Sequence, residues 1–166
     1  MDLKSKIILI SGPTASGKSC FAIKVAKKID GEIINADSMQ VYKQLKILSA
    51  RPDQNKYHKI KHHLYGFQDV TKNFSTGDWL KLVNKKIIEV QKRKKIPILV
   101  GGTGLYFKAL TDGLVKIPKI SLKLRNQIRN LQKKLGQKKF YEKLIQLDPS
   151  SKEKINPTDT QRSIRA

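Results

Sequence analysis

The chain has 166 residues, enough for one domain with a real core and short of two comfortable ones. Its 35 Lys+Arg against 13 Asp+Glu give a net charge of +22, while 39% hydrophobic residues exclude a charged disordered tail. A single cysteine, Cys20, excludes an intrachain disulfide framework and a cysteine-based metal site, and the longest apolar runs, Ile7 to Ile10 and Ile96 to Val100, are too short to span a bilayer.

The N-terminal apolar stretch is brief and leads straight into glycine-rich sequence, so it does not read as a signal peptide, and a soluble, cytoplasmic protein is expected. Residues 6–11, Lys-Ile-Ile-Leu-Ile-Ser, read as a buried parallel strand. Residues 18–29 carry Phe21, Val25, Ala26 and Ile29 at helical spacing, with Cys20 expected as a small buried side chain. Residues 32–36 form a second strand. Ser75-Thr76-Gly77-Asp78 is a capping box with a short acid, opening a helix through about Gln91, and Trp79 and Phe74 are expected in the core. Residues 96–100 form a third strand running into Gly101-Gly102-Thr103-Gly104 and a short helix. Strands alternating with helices predict an α/β fold with a parallel sheet flanked by helices.

Beyond Gly113 strand signals stop. Basic helical stretches follow, broken at Gly136, Asp148-Pro149 and Asn156-Pro157, with Asn156 as the expected N-cap of a last helix that is still running at Ala166. The predicted organisation is an α/β core over 1–114, a basic helical insertion subdomain over 115–147, and the start of a return to the core over 148–166. Charge follows the same division. Residues 1–80 hold 13 basic and 7 acidic side chains, residues 81–166 hold 22 and 6, and 115–147 has ten basic residues against one acid, Glu142. That concentration points to a polyanion, and nucleic acid fits better than a membrane surface because no Trp- or Phe-studded amphipathic face accompanies it.

Gly12-Pro13-Thr14-Ala15-Ser16-Gly17-Lys18-Ser19 matches G-x-x-x-x-G-K-[ST] after a strand and before a helix. Its glycines let backbone N–H groups curl around a phosphate, Lys18 reaches the outer oxygens, and Ser19 is placed to hold Mg²⁺. A nucleoside triphosphate and a small diphosphate fit the same cradle. Asp37 follows the second strand, where a doubly wound sheet binds its ligands, and serves as magnesium ligand, as general base, or only as the cap of a turn. Thr103 stands at the end of the third strand, where a hydroxyl faces the same crevice. His58 and His62 lie four apart, but no cysteine or His-Glu-x-x-His pattern accompanies them, so surface or packing roles are expected.

Taken together, Gly12 to Ser19, Asp37-Ser38-Met39-Gln40-Val41-Tyr42, His62-His63-Leu64, Val100 to Tyr106 and Gln161-Arg162-Ser163-Ile164-Arg165 resemble the tRNA dimethylallyltransferases in order and spacing over essentially the whole chain. The resemblance implies a P-loop NTPase-like fold and transfer of a dimethylallyl group from dimethylallyl diphosphate to the exocyclic amine of the adenosine 3′ of the anticodon in tRNA. It further implies that Thr14 to Ser19 hold the diphosphate with Mg²⁺, that Asp37 accepts the amine proton, and that Ser38, Met39 and Gln40 hold the flipped-out adenosine. Thr103, Arg125 and Gln161 to Arg165 match tRNA-contacting positions. A monomer is expected, corresponding to an N-terminal portion of such an enzyme, because family members continue well past the last residue. The competing readings are a small-molecule phosphate-loop kinase, an enzyme that prenylates a free adenine nucleotide, and a non-catalytic RNA-binding fragment.

Overall fold

The computed structural model describes residues 6–115 and 120–166. The chain divides into two compact units, Met1–Val115 and Lys116–Ala166, and the first residues of the expected basic segment, 116–119, lie outside the described residues.

The first unit is a four-stranded parallel sheet of β1 (Ile8–Ser11), β2 (Gly31–Asn35), β3 (His62–His63) and β4 (Ile96–Gly101), in the order β1-β4-β2-β3. The two middle strands, β4 and β2, are buried along their whole length, so β4 is an apolar run without alternation, while β2 carries Ile33 and Ile34 between the buried polar residues Glu32 and Asn35. Edge strand β1 instead alternates half-buried and exposed residues. Ile33, Ile98 and Val100 point to one face and meet Ala22 and Ala26 of helix α1 (Lys18–Ile29). Ile34 and Leu99 point to the other, into a core made with Trp79, Val83, Ile87 and Val90 of α2 (Thr76–Lys92) and Tyr106 of α3 (Gly104–Thr111). The period-two alternation thus sorts each buried strand residue between two helical layers.

Helix α2 starts where its capping box places it. The Ser75 hydroxyl accepts the Asp78 N–H at 3.2 Å, and the Asp78 carboxylate accepts the Ser75 N–H at 3.1 Å. Trp79 is fully buried, stacked on Tyr106 at 4.1 Å between ring centres, and donates its indole N–H to the Asn35 carbonyl at 3.0 Å. Phe74 packs against the same core.

Three expectations need correction. Cys20 is exposed, and so is Phe21 at 58%. The stripe that α1 lays on the sheet runs through Ala22 and Ala26, and at about 100° per residue Cys20 stands roughly 200° away from Ala22. The small alanines let the helix lie close to the strands, and the larger Phe21 is left outside. The last helix also begins later than expected. In the second unit, α4 (Leu122–Leu147) is bent at Gly136 (φ 73°, ψ 165°), followed by α5 (Ser151–Lys154) and α6 (Thr160–Arg165). Asn156 accepts the N–H and hydroxyl of Thr158 in a local turn, and Asp159 caps α6 by accepting the Arg162 N–H at 2.9 Å. Within this unit Phe140 is buried, Tyr141 donates its hydroxyl to the Ile155 carbonyl, and Gln137 donates to the Pro157 carbonyl and the Ser163 hydroxyl. Among the described residues no helix is long and apolar enough to cross a membrane.

Candidate active site at the carboxyl end of the sheet

The loops leaving β1, β4 and β2 sit side by side because those strands are neighbours in that order. The loop after β1 is the phosphate motif. Gly17 caps α1 in the left-handed region (φ 77°), and a Cβ there would meet nothing within 4 Å, so its glycine answers a conformational demand and not a lack of space. Ala15 adopts φ 64° without being glycine. The helix N-terminus opens onto a cavity of about 590 Å³ lined by Thr14 to Cys20 together with Asp37 and Gln40. Lys18 folds back to donate to the Pro13 carbonyl at 2.8 Å, and the Ser19 hydroxyl lies one residue further along the cavity wall.

The loop after β2 is held from beneath by Asn35. This fully buried side chain donates to the carbonyls of Asp37 and Leu64, each at 3.0 Å, and accepts the Asp37 N–H at 2.9 Å. Asp37 itself splits its carboxylate. Oδ1 accepts the N–H groups of Met39 (2.9 Å) and Gln40 (3.4 Å), while Oδ2 lies toward Gly102, 3.9 Å from where a Cβ on that glycine would stand. The turn is thus capped by Oδ1, and Oδ2 takes no part in it.

The loop after β4 joins the other two. A Cβ on Gly101 would come to 2.0 Å from the Ala36 carbonyl oxygen, and one on Gly102 to 3.3 Å from the Gly12 carbonyl oxygen. Thr103 accepts the Ser38 N–H at 2.9 Å and donates to the Ser38 hydroxyl at 3.2 Å. Although Thr103 stands at the N-cap of α3, its hydroxyl is spent on Ser38 rather than on its own helix. Met39 is half exposed at the rim, and the Gln40 amide donates to the Ser49 carbonyl at 3.0 Å. Tyr106 stands behind Asp37, where burial pushes its phenol up to about 12, so it stays neutral at physiological pH.

The far wall of the cavity comes from Ser49, Ala50, Pro52 and His58, and the exposed face of α1 adds Ile23, Lys24 and Lys27. The sequence reading did not identify this wall. Its backbone signal is the left-handed conformation of Ala50 and His58 (φ 48° each), which non-glycine residues do not advertise. Asp37 is the one acid among the lining residues, against Lys18, Lys24 and Lys27, so the cavity is electropositive.

His62 and His63 serve packing, as expected. His62 stacks on Tyr57 at 3.7 Å and bonds the Ile60 carbonyl, and burial holds its imidazole below the ordinary range. His63 Nε2 meets buried Glu32 at 2.6 Å, and Arg93 grips the same carboxylate with two bonds of 3.0 and 2.6 Å. Burial acts to raise the Glu32 carboxyl, but Arg93 and His63 together hold it below the usual carboxylate range. Burial likewise depresses His63, against the pull of Glu32. Glu32 sits at the start of β2, and His62 and His63 form β3 beside Ile33 and Ile34; none of the three lines the cavity.

Among the described residues no group of three or more His, Cys, Asp or Glu side chains is placed to hold a metal. Mg²⁺ keeps several waters and takes substrate phosphate oxygens beside one or two protein oxygens, and Ser19 and Asp37 are the lining side chains that would hold it. Arg125 and Gln161 to Arg165 belong to the second unit. Arg125, Gln161, Arg162 and Arg165 are exposed and Ile164 is half-buried. Ser163 turns inward, 2% exposed, with its hydroxyl shared between Gln137 and the Asp159 carbonyl.

Comparison with known proteins now adds to this geometry. A family model described as IPP transferase matches residues 40–166. The chain is 70% identical over 166 residues to a tRNA dimethylallyltransferase of Pelagibacter ubique, covering 100% of this chain and 53% of that protein. It is 51% identical over 164 residues to one of Rickettsia prowazekii, covering 99% and 53%. Among solved structures, a tRNA isopentenylpyrophosphate transferase of Bacillus halodurans matches with TM-score 0.66 and 33% identity over 96% of this chain and 53% of that one. A eukaryotic dimethylallyltransferase solved acting on tRNA matches with TM-score 0.80 and 31% identity over 96% and 40%. The chain therefore spans about half the length of the curated relatives it matches.

Proposed function

The chain belongs to the IPP transferase family, with its P-loop NTPase-like sheet, and from that membership we propose that it carries the diphosphate cradle and the base of a tRNA dimethylallyltransferase. The reaction moves a dimethylallyl group from dimethylallyl diphosphate to N6 of the adenosine 3′ of the anticodon. The C–O bond to diphosphate breaks, a C–N bond forms, and the amine proton leaves. Gly12 to Ser19 bind the diphosphate through backbone N–H groups, the N-terminus of α1 and Lys18, in the manner of phosphate loops. Mg²⁺ bound beside Ser19 would neutralise charge on the leaving group. Asp37 Oδ2 takes the amine proton, and Ser38, Met39 and Gln40 hold the extruded base, whose edge is unreachable inside a stacked loop. Thr103 positions that turn through Ser38.

The observation that carries this reading is the split carboxylate of Asp37. One oxygen is fixed in the turn, the other lies toward Gly102, and Asp37 lines the same cavity as the phosphate loop. The basic segment over 115–147, with Arg125 and the exposed Gln161, Arg162 and Arg165 of the last helix, is proposed to bind the tRNA, while Ser163 holds that helix from within. The core over 1–114 carries the chemistry, and 148–166 begins the return to it. A cytoplasmic monomer is the setting proposed for this function.

The test mixes the chain with an unmodified tRNA, dimethylallyl diphosphate and Mg²⁺, then weighs the digested nucleosides. One added dimethylallyl group on adenosine, absent with Asp37→Ala, is the expected result. Phosphate transfer from ATP to a small acceptor instead would overturn the reading.

A further inference from the structure

The cavity continues past the phosphate cradle. Along α1, Lys24 and Lys27 line it roughly 9 and 14 Å beyond Lys18, counting 1.5 Å per helical residue. A diphosphate is two phosphoryl groups long, and one held at Lys18 does not reach them. Cys20 and Ile23, which lie between Lys18 and Lys24 along α1, and Ala50 and Pro52 give the lining its apolar part. His58, exposed and left-handed, belongs to the same lining. Among the described residues neither Lys24 nor Lys27 pairs with an acid, and the one acid lining the cavity, Asp37, stands by the cradle. Ala15, Ala50 and His58, three non-glycine residues held at positive φ, all line this cavity, and such strain collects where a backbone clamps a ligand.

We infer that this distal end is a second anion subsite, in which Lys24 and Lys27, with His58 in the same lining, take a backbone phosphate of the RNA next to the reacting nucleotide. The inference rests on the proposed function and adds residues that it does not use. The phosphate loop holds the leaving group, and the lysine pair fixes the register of the strand that presents the base. Phosphate contacts of this kind position a nucleic acid without reading its sequence.

The experiment measures binding of a fluorescent anticodon stem-loop by anisotropy across a potassium chloride series. Each phosphate contact contributes about 1 to the slope of log affinity against log salt. The Lys24→Gln/Lys27→Gln double variant is expected to lower that slope by about 1 and to keep the affinity for inorganic pyrophosphate with Mg²⁺. Lys24→Arg/Lys27→Arg restores the slope. Lys28→Gln, half that charge change and one residue outside the cavity lining, leaves it unaltered. All three lysines are exposed, so none of these changes threatens the fold. An unchanged slope in the double variant overturns the inference, as does an equal drop for Lys28→Gln. Lost pyrophosphate binding with an unchanged RNA slope overturns it too, by assigning the lysines to the leaving group. RNA held through the two lysines with no prenyl transfer supports the subsite while refuting the proposed function, so the two fail separately.

Discussion

Gly101 offers the sharpest test of how the site is assembled. A Cβ added there would lie 2.0 Å from the Ala36 carbonyl oxygen, 2.1 Å from its carbon and 2.7 Å from the Asp37 nitrogen. All three are backbone atoms, so no side chain can swing aside. Restoring an ordinary contact of 3.4 Å to the carbonyl oxygen needs about 1.4 Å of separation between the ends of β4 and β2. That movement acts on the Ala36 N–H bond to the Val100 carbonyl at 2.8 Å, on the Thr103–Ser38 pair and on the Asp37 turn. Overpacking of this kind costs about 1–3 kcal/mol, and a misplacement of ~1 Å at reacting groups costs about a hundredfold in rate. Gly101→Ala is therefore expected to lower the urea midpoint and to reduce single-turnover transfer by about two orders of magnitude. Neighbouring glycines supply the scale. Gly102→Ala meets the Gly12 carbonyl at 3.3 Å and should cost less, whereas Gly104→Ala meets nothing within 4 Å and should be neutral or slightly stabilising. Wild-type stability and rate for Gly101→Ala, or equal losses at 101 and 104, would refute the reasoning.

Asp37→Asn keeps an acceptor for the Met39 and Gln40 N–H groups but removes the base, so transfer should fall by about 10²–10⁴ with stability unchanged, while Asp37→Ala should lose stability as well. A denaturation midpoint for the asparagine variant as low as for the alanine one would contradict that division of labour. Thr103→Val strands the Ser38 N–H and should cost about 1 kcal/mol by urea denaturation at unchanged m, with Thr103→Ser recovering most of it. Burial holds the folded His63 imidazole below its ordinary 6.5, so the unfolded chain takes up a proton that the folded one refuses, and stability should decline as pH drops below about 6.5. The Glu32 carboxyl, lowered in the fold from 4.5, adds a second loss as pH falls through its folded value. Urea midpoints across that range, with and without His63→Gln, check the sign; a flat profile in the wild type would show it wrong.

What was legible in the sequence was local. The phosphate loop, the Ser75–Asp78 box and the apolar strands announce themselves within ten residues, and each is found where its residues put it. What was not legible depends on partners far away in the chain. Strand β3 is two residues long and exists only because the edge of β2 pairs with it. The helix spacing in α1 was readable, but the sheet decides which face is buried, and it chose Ala22 and Ala26 over Phe21. Asn156 and Asp159 are equally good caps by type, and local turn chemistry assigned the first to Thr158. Ser163 looks like part of an exposed arginine-rich stretch until Gln137, 26 residues earlier, draws its hydroxyl inward.

If Asp37 is the base of the proposed reaction, its split carboxylate makes position the main demand on it. Once N6 attacks the allylic carbon, the alkylated nitrogen carries positive charge and its proton is far more acidic than that of the starting amine. A carboxylate is a weak base, but it suffices for such a proton provided an oxygen is already within reach. The demand is therefore on position, and position is what the surroundings supply. Asn35 fixes the backbone of the turn, Met39 and Gln40 fix Oδ1, and Gly102 leaves Oδ2 uncovered. Preorganisation of this kind places the burden on the neighbours, so removing Asn35 or crowding Gly101 should impair the reaction without touching a reacting atom.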